Sequence, residues 1–167
     1  MTGMGGPEAE LVLVRAIGID QLEAVEAVMA AAFDPAYGEA WNAAQVLATL
    51  AMPGYRLRGA FSAGIGRELA GFAISRIVAG ESELLLLGVD PAWRRRGVAT
   101  ALMQDWIDLC HSQHVELAFL EMREDNPARA LYRQFGFADA ALRKAYYRGA
   151  DGVMRNAVTM KKTLMPK

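Results

Sequence analysis

The most constraining feature of the sequence is an abrupt change of pattern between residues 81 and 111. Glu81 to Val89 reads as a strand whose middle, Leu84 to Leu87, is an unbroken apolar run. Such a run suits a central strand buried on both faces. Asp90-Pro91 stops it, because proline has no backbone donor for a ladder. Arg94-Arg95-Arg96-Gly97 follows, and then the apolar period turns helical. Ala99, Leu102, Met103, Trp106, Ile107 and Cys110 share one face of that helix. Strand, basic loop with a glycine, helix start: this order is a physical recipe for gripping a pyrophosphate or a similar anion. The first turn of a helix has unpartnered N–H groups and the positive end of the dipole. Gly97 and Ala99 permit close approach to the backbone, and Arg94, Arg95 and Arg96 add charge beside it. The plainer alternative is a turn glycine in a basic surface loop. A position between a buried strand and a strongly periodic helix favours the anion site.

The remaining elements follow from period and punctuation. Leu11 to Ile17 reads as a strand. Asp20, with Glu23 three residues on, reads as the capping box of a helix carrying Leu22, Val25, Met29 and Phe33. Asp34-Pro35-Ala36-Tyr37-Gly38 breaks it, and a second helix is expected over Trp41 to Leu50. Tyr55 to Ser62 and Glu68 to Val78 read as strands joined by a turn at Ala63-Gly64-Ile65-Gly66. After the basic loop, the helix runs from Val98 to about His111, and Val115 to Arg123 is a strand. Asn126-Pro127 opens a last helix as N-cap and first residue; Ala128, Leu131, Tyr132 and Phe135 form its apolar face, and Gly136 ends it. Ala141 to Tyr147 and Val153 to Lys161 form a hairpin around Arg148-Gly149-Ala150-Asp151-Gly152. The order β α α β β β α β α β β predicts an α/β (α+β) fold: a mixed sheet of about seven strands with helices on both faces. The crossover between residues 81 and 123 is expected to be parallel and right-handed.

Length and charge narrow the function classes. The chain has 167 residues, 53% of them hydrophobic, enough for one domain over 10–163 behind a frayed glycine-rich tail at 1–9. A formal charge of −1 implies no general nucleic-acid surface, so the arginine triplet is a local basic spot. No apolar run approaches the roughly 20 residues of a membrane span, and the start lacks the pattern of a signal peptide. The single cysteine, Cys110, allows no internal disulfide, and a cytoplasmic setting is expected.

A few side chains can do chemistry. Glu121 lies near the carboxyl end of a strand expected to neighbour the central one. It reads either as an ion-pair partner of Arg123 or Arg143, or as a general base where open sheets place ligands. Tyr132, taken alone, reads as a core tyrosine with a satisfied hydroxyl. Cys110 falls on the buried stripe of its helix as an inert hydrophobe, and Trp41 reads as packing. His111 and His114 lie around a helix end without metal-ligand spacing, so no metal is expected. Of Tyr146 and Tyr147, one is expected in the core and one at the surface.

Together these pieces resemble the GNAT family of acyl-CoA N-acyltransferases and, within it, RimI-type ribosomal-protein alanine N-acetyltransferases. Arg94-x-x-Gly97-x-Ala99 is similar to the family's acetyl-CoA pyrophosphate motif. Gly71 to Ser75, Gly88 to Pro91, Leu120 to Arg123, Ala130 to Tyr132, Gly136-Phe137 and Leu142 to Tyr147 also match, so the likeness covers roughly residues 10–163. It implies that Leu87 and Val89 bind the pantetheine arm with backbone groups where the central strand splays from its neighbour. Backbone N–H groups from Arg95 through Val98 and Ala99 to Thr100 would hold the pyrophosphate. It makes Glu121 the general base and Tyr132 the general acid, and it places Tyr146 and Tyr147 beside a peptide cleft. The family's asparagine stands seven residues before the helix tyrosine; here that position is Asp125, and Asn126 is the nearest candidate for the coenzyme contact.

The implied activity is transfer of an acetyl group from acetyl-CoA to a primary amine, by direct attack in a ternary complex. An N-terminal α-amine of the ribosomal-protein alanine type is the first expectation. A small-molecule amine and a non-catalytic acyl-CoA sensor are the alternatives. A peptide acceptor needs an open groove between loops, and a small amine a closed, acidic pocket. A monomer or homodimer, with no nucleic-acid or membrane partner, is expected.

Overall fold

The structure, a computed structural model, describes residues 11–64 and 67–164. The tail expected at 1–9 and half of the Ala63–Gly66 turn lie outside these residues. Seven strands form one mixed sheet in the order β1-β2-β3-β4-β5-β7-β6. The strands are β1 (Val12–Ala16), β2 (Tyr55–Ser62), β3 (Leu69–Val78), β4 (Glu81–Val89), β5 (Leu117–Arg123), β6 (Ala138–Arg148) and β7 (Met154–Thr163). The helices are α1 (Leu22–Ala32), α2 (Ala43–Leu50), α3 (Val98–Ser112) and α4 (Arg129–Gln134). Element order and sheet class are those expected. β4 and β5 pair in parallel across the α3 crossover, and the other pairs are antiparallel.

Two apolar clusters cover the sheet. One gathers α3 and α4 side chains with Leu84, Leu120, Phe137, Val158 and Met160. The other packs Val25, Val28 and Met29 of α1 and Val46 of α2 on Leu57, Phe72, Ile74 and Leu86. On α3 the expected stripe is buried, with Val98 added and Ala99 half-buried. Trp106 stacks on Phe137 with ring centroids 5.6 Å apart, and its indole N–H donates to the buried Ser82 hydroxyl at 2.9 Å. Each such large buried side chain contributes roughly 1.5–3 kcal/mol.

β4 departs from a uniformly buried strand. Ser75 pairs with Leu84 and Ile74 with Leu86, so Leu85 is an extra residue, a β-bulge. A bulge reverses the alternation of faces. Leu84 therefore packs with α3, Leu86 with α1, and Leu87 and Val89 again with α3. Leu85 and Leu87 are half-buried and border a cleft.

Three local expectations are corrected. Asp20 caps no helix: it sits in a 3-10 turn over Ile19–Gln21, and Gln21 precedes α1 without a side-chain cap. The second helix starts at Ala43 rather than Trp41, because Asn42 and Gln45 form a capping box with both bonds at 2.9 Å. The last helix is shorter than expected. Asn126 accepts the Ala128 N–H at 2.9 Å in a turn before α4 begins at Arg129.

Candidate active site

The site begins where β4 and β5 part. Their ladder ends at Leu84–Leu120, yet β4 runs on to Val89 beside β3 and β5 to Arg123 beside β7. The gap is a cleft of about 250 Å³, walled by Leu84 to Leu87 on one side and Leu120, Glu121 and Met122 on the other. Among the described residues no strand pairs with the β5-facing edge of β4 beyond Leu84, so backbone groups there can bond a ligand. Leu87 lines this cleft; Val89 lies further along the same strand.

Past β4 the chain makes the expected helix-start loop. Asp90 accepts the Ala92 N–H at 2.8 Å and caps a short turn over Pro91–Trp93. Arg95 (φ 61°) and Gly97 (φ 79°) are both left-handed and curl the loop. A Cβ on Gly97 would meet nothing within 4 Å, so its surroundings are open. The first helical bond is Ala101 N–H to Gly97 O at 2.9 Å, so the N–H groups of Val98, Ala99 and Thr100 lie ahead of the ladder. The three arginines are exposed but not equivalent. Arg94 donates to Ala32 O at the carboxyl end of α1 (3.2 Å), and Arg96 lies 5.0 Å from the centre of the Trp93 ring.

Glu121, Tyr132, Tyr147 and Asn126 all line the cleft. Glu121 is 21% exposed at its side chain, accepts from the Thr159 hydroxyl at 3.4 Å and lies 3.6 Å from Arg143 Nε. Of the two arginines considered for it, Arg143 is the partner. Tyr132 is 7% exposed. Burial, and secondarily the charge of Glu39, push its phenol up to about 12, so it stays protonated through the neutral range. Tyr147 is also pushed up to about 12, by burial first and then by Glu121, Glu39 and Tyr146, with Arg123 opposing. Neither tyrosine of the pair is core: Tyr147 faces the cleft and Tyr146 is exposed, edge-on to it at 5.2 Å. Asn126 keeps a place on the cleft wall while its oxygen shapes the start of α4.

The α1–α2 loop supplies what sequence reasoning missed. Phe33, Gly38, Glu39 and Trp41 line the cleft, so Trp41 does more than pack. Glu39 is held by the Arg123 guanidinium, 2.9 Å from its Nε. Arg123, 6% exposed, also bonds Asp125 at 2.5 Å and lies 3.5 Å from the centre of the Tyr37 ring. Asp125, at the position where the family pattern has asparagine, is therefore tied to Arg123. The β6–β7 hairpin meets the same loop through Ala150 N–H to Ala36 O at 2.8 Å. Cys110 is buried, and no helix among the described residues is long and apolar enough to cross a membrane.

Comparison with known proteins agrees with this geometry. The profile of the Acetyltransferase (GNAT) family matches residues 26–137. The chain is 38% identical over 86 residues to the ribosomal protein bS18 alanine N-acetyltransferase of Escherichia coli K12, spanning 51% of this chain and 58% of that one. The match thus spans little more than half of that relative. It is 38% identical over 115 residues to the N-alpha-acetyltransferase RimI of Mycobacterium tuberculosis, covering 66% of this chain and 71% of that one. The crystal structure of the ribosomal-protein-S18-alanine N-acetyltransferase from Escherichia coli superposes with a TM-score of 0.81 at 26% identity, over 94% of this chain and 96% of that one. The chain belongs to the GNAT family of acetyltransferases.

Proposed function

We propose that this chain transfers the acetyl group of acetyl-CoA to a primary amine, foremost the N-terminal α-amine of a protein of the ribosomal-protein alanine type. One observation carries the reading: β4 and β5 part beyond Leu84–Leu120 over a cleft lined by Glu121 and Tyr132, and β4 leads into the loop before α3, whose first N–H groups lie ahead of the helical ladder. The N–H groups of Val98, Ala99 and Thr100 bind the pyrophosphate, with Arg95 adding charge and Asn126 beside the path of the arm. Backbone groups at Leu87 and Val89 align the pantetheine arm. A peptide α-amine has a pKa near ~8 and is largely protonated at neutral pH. Glu121 accepts that proton, directly or through a water, and the free amine attacks the thioester carbon in a ternary complex. The adduct nitrogen then loses its second proton to solvent as the C–S bond breaks and coenzyme A leaves as the thiolate. Backbone N–H groups on the open edge of β4 stabilise the developing oxyanion. Tyr132 donates a hydrogen bond to the departing sulfur. With its phenol near 12 and a thiol near ~8.5, the leaving thiolate is stabilised without needing the whole proton. Tyr146 and Tyr147 border the acceptor. No covalent enzyme intermediate is required. The setting proposed is the cytoplasm.

A small-molecule amine is the second reading. It is favoured by two carboxylates, Glu39 and Glu121, on the wall of the cleft. A panel of Ala-, Ser- and Met-start peptides, lysine peptides and polyamines, followed by thiol release from acetyl-CoA, separates the two. Turnover on the Ala-start peptide supports the first reading, and turnover on polyamines alone replaces the acceptor. Tight acetyl-CoA binding without any turnover points to a sensor.

A further inference from the structure

Arg123 is a buried cation that the mechanism above does not use. It sits on β5 two residues beyond Glu121, and its contacts join that strand to the α1–α2 loop and to the turn before α4. Its Nε bonds Glu39 of the α1–α2 loop (2.9 Å), its Nη1 bonds Asp125 before α4 (2.5 Å), and its guanidinium covers Tyr37 at 3.5 Å. Arg155 of β7 reaches the same ring at 4.8 Å and is itself fixed by Asp151 of the hairpin through bonds of 3.0 and 2.6 Å. Two guanidinium groups thus converge on one tyrosine, and the Ala150–Ala36 bond closes the circuit beside it. A charge this buried is costly to strand, so its partners are held firmly. Glu39, unlike Asp125, lines the cleft.

We propose that Arg123 is a positioning residue of the acceptor end of the cleft. It ties the α1–α2 loop to β5 through Glu39 and Tyr37, while Arg155 ties the same ring to the β6–β7 hairpin, so that Glu39 presents a second carboxylate to the incoming ammonium. The assignment rests on the amine-acetylation reading above. It adds that acceptor affinity is set by a group that touches neither acetyl-CoA nor the reacting atoms. Glu39 binds the cation before Glu121 removes its proton, and Tyr37 keeps Glu39 in place.

The test compares Arg123→Gln, Glu39→Gln, Tyr37→Leu and Tyr37→Phe in the full chain. Acceptor KM, acetyl-CoA KM and kcat are measured with the best acceptor of the panel, alongside hydrogen exchange over residues 34–42 and 148–153. Loss of one charge-assisted contact predicts a rise in acceptor KM of roughly tenfold or more for Arg123→Gln and Glu39→Gln. Acetyl-CoA KM should stay within about twofold, and the double variant should be no worse than either single one. Tyr37→Leu should raise acceptor KM and speed exchange at Ala150 together, and Tyr37→Phe, which keeps the ring, should restore both. If Arg123→Gln does not fold, the Tyr37 pair decides, because that ring sits on a surface loop. Lowered melting temperature with unchanged acceptor KM and unchanged exchange overturns the proposal. A wild type silent on every acceptor removes the amine-acetylation reading, and unchanged exchange in Tyr37→Leu then removes the loop-fastening role separately.

Discussion

At the scale of residues, the two shifted tyrosines give a pH signature. Tyr132 and Tyr147 hold their protons to about 12 in the fold, against the ordinary value of about 10 in an unfolded chain. Between those values the folded state binds more protons. Its stability is therefore complete below about pH 10 and falls as pH rises towards 12. For Tyr132 the effect is on the order of 2 kcal/mol. Thermal melts should show the decline, and Tyr132→Phe should reduce it to the share that Tyr147 contributes. The same variant should lower kcat by roughly 10²–10³ at neutral pH if the phenol's hydrogen bond stabilises the leaving sulfur. Unchanged kcat in a folded Tyr132→Phe removes that role. The places of Glu121 on β5 and Tyr132 on α4 were legible because each sits in a periodic element, but the roles proposed for them came from the resemblance to the GNAT family, since Tyr132 alone reads as a core tyrosine. Glu39, Tyr37 and the use of Arg123 were not legible. They meet across 84 residues of chain, and the loop from 33 to 42 has no period to betray which side chain faces inward.

Elements position the site through two backbone irregularities and two glycines. The Leu85 bulge turns the face of β4 just where β5 departs, and a run of four leucines carries no phase from which to read it. In β6, two extra residues lie between the Arg143–Ala157 and Tyr147–Arg155 pairs. Asn156 Oδ1 accepts the Ala145 N–H there at 2.9 Å, delivering Tyr147 to the cleft. The hairpin was visible from its turn, but this excess was not, because no proline or glycine marks it. Gly71 lets β3 and β4 approach under α3. A Cβ there would lie 2.8 Å from Gly88 O and 2.9 Å from Val98 Cγ1. Gly71→Ala should therefore cost about 1–3 kcal/mol in chemical denaturation. Gly97→Ala meets no such wall. Its φ of 79° should instead cost roughly 1 kcal/mol and raise acetyl-CoA KM, by tilting the N–H groups of the first α3 turn.

For the whole molecule, the sheet is the frame that opens the cleft where β4 and β5 part, and the proposed reaction brings acetyl-CoA and the acceptor together there. The element order and the mixed sheet could be written down from the sequence, since strand and helix periods alternate cleanly. The depth of the cleft could not, because it depends on where one parallel ladder stops. If acetyl-CoA fills that gap as proposed, its binding should stabilise the fold globally. At 100 times Kd the gain is about 2.7 kcal/mol, visible as a raised melting temperature. Because the arginine loop is exposed in a chain of net charge −1, added salt should weaken the shift. A salt-independent shift would contradict the anion site at the α3 N-terminus.

The most direct test is acetyl transfer from acetyl-CoA to an Ala-start peptide by wild type and Glu121→Gln, at equal acetyl-CoA occupancy and with folding checked by circular dichroism. The account predicts turnover by wild type and a loss of roughly 10²–10⁴ in the variant. Equal rates in the two proteins, or acetyl-CoA binding by wild type with no transfer to any amine, would contradict it.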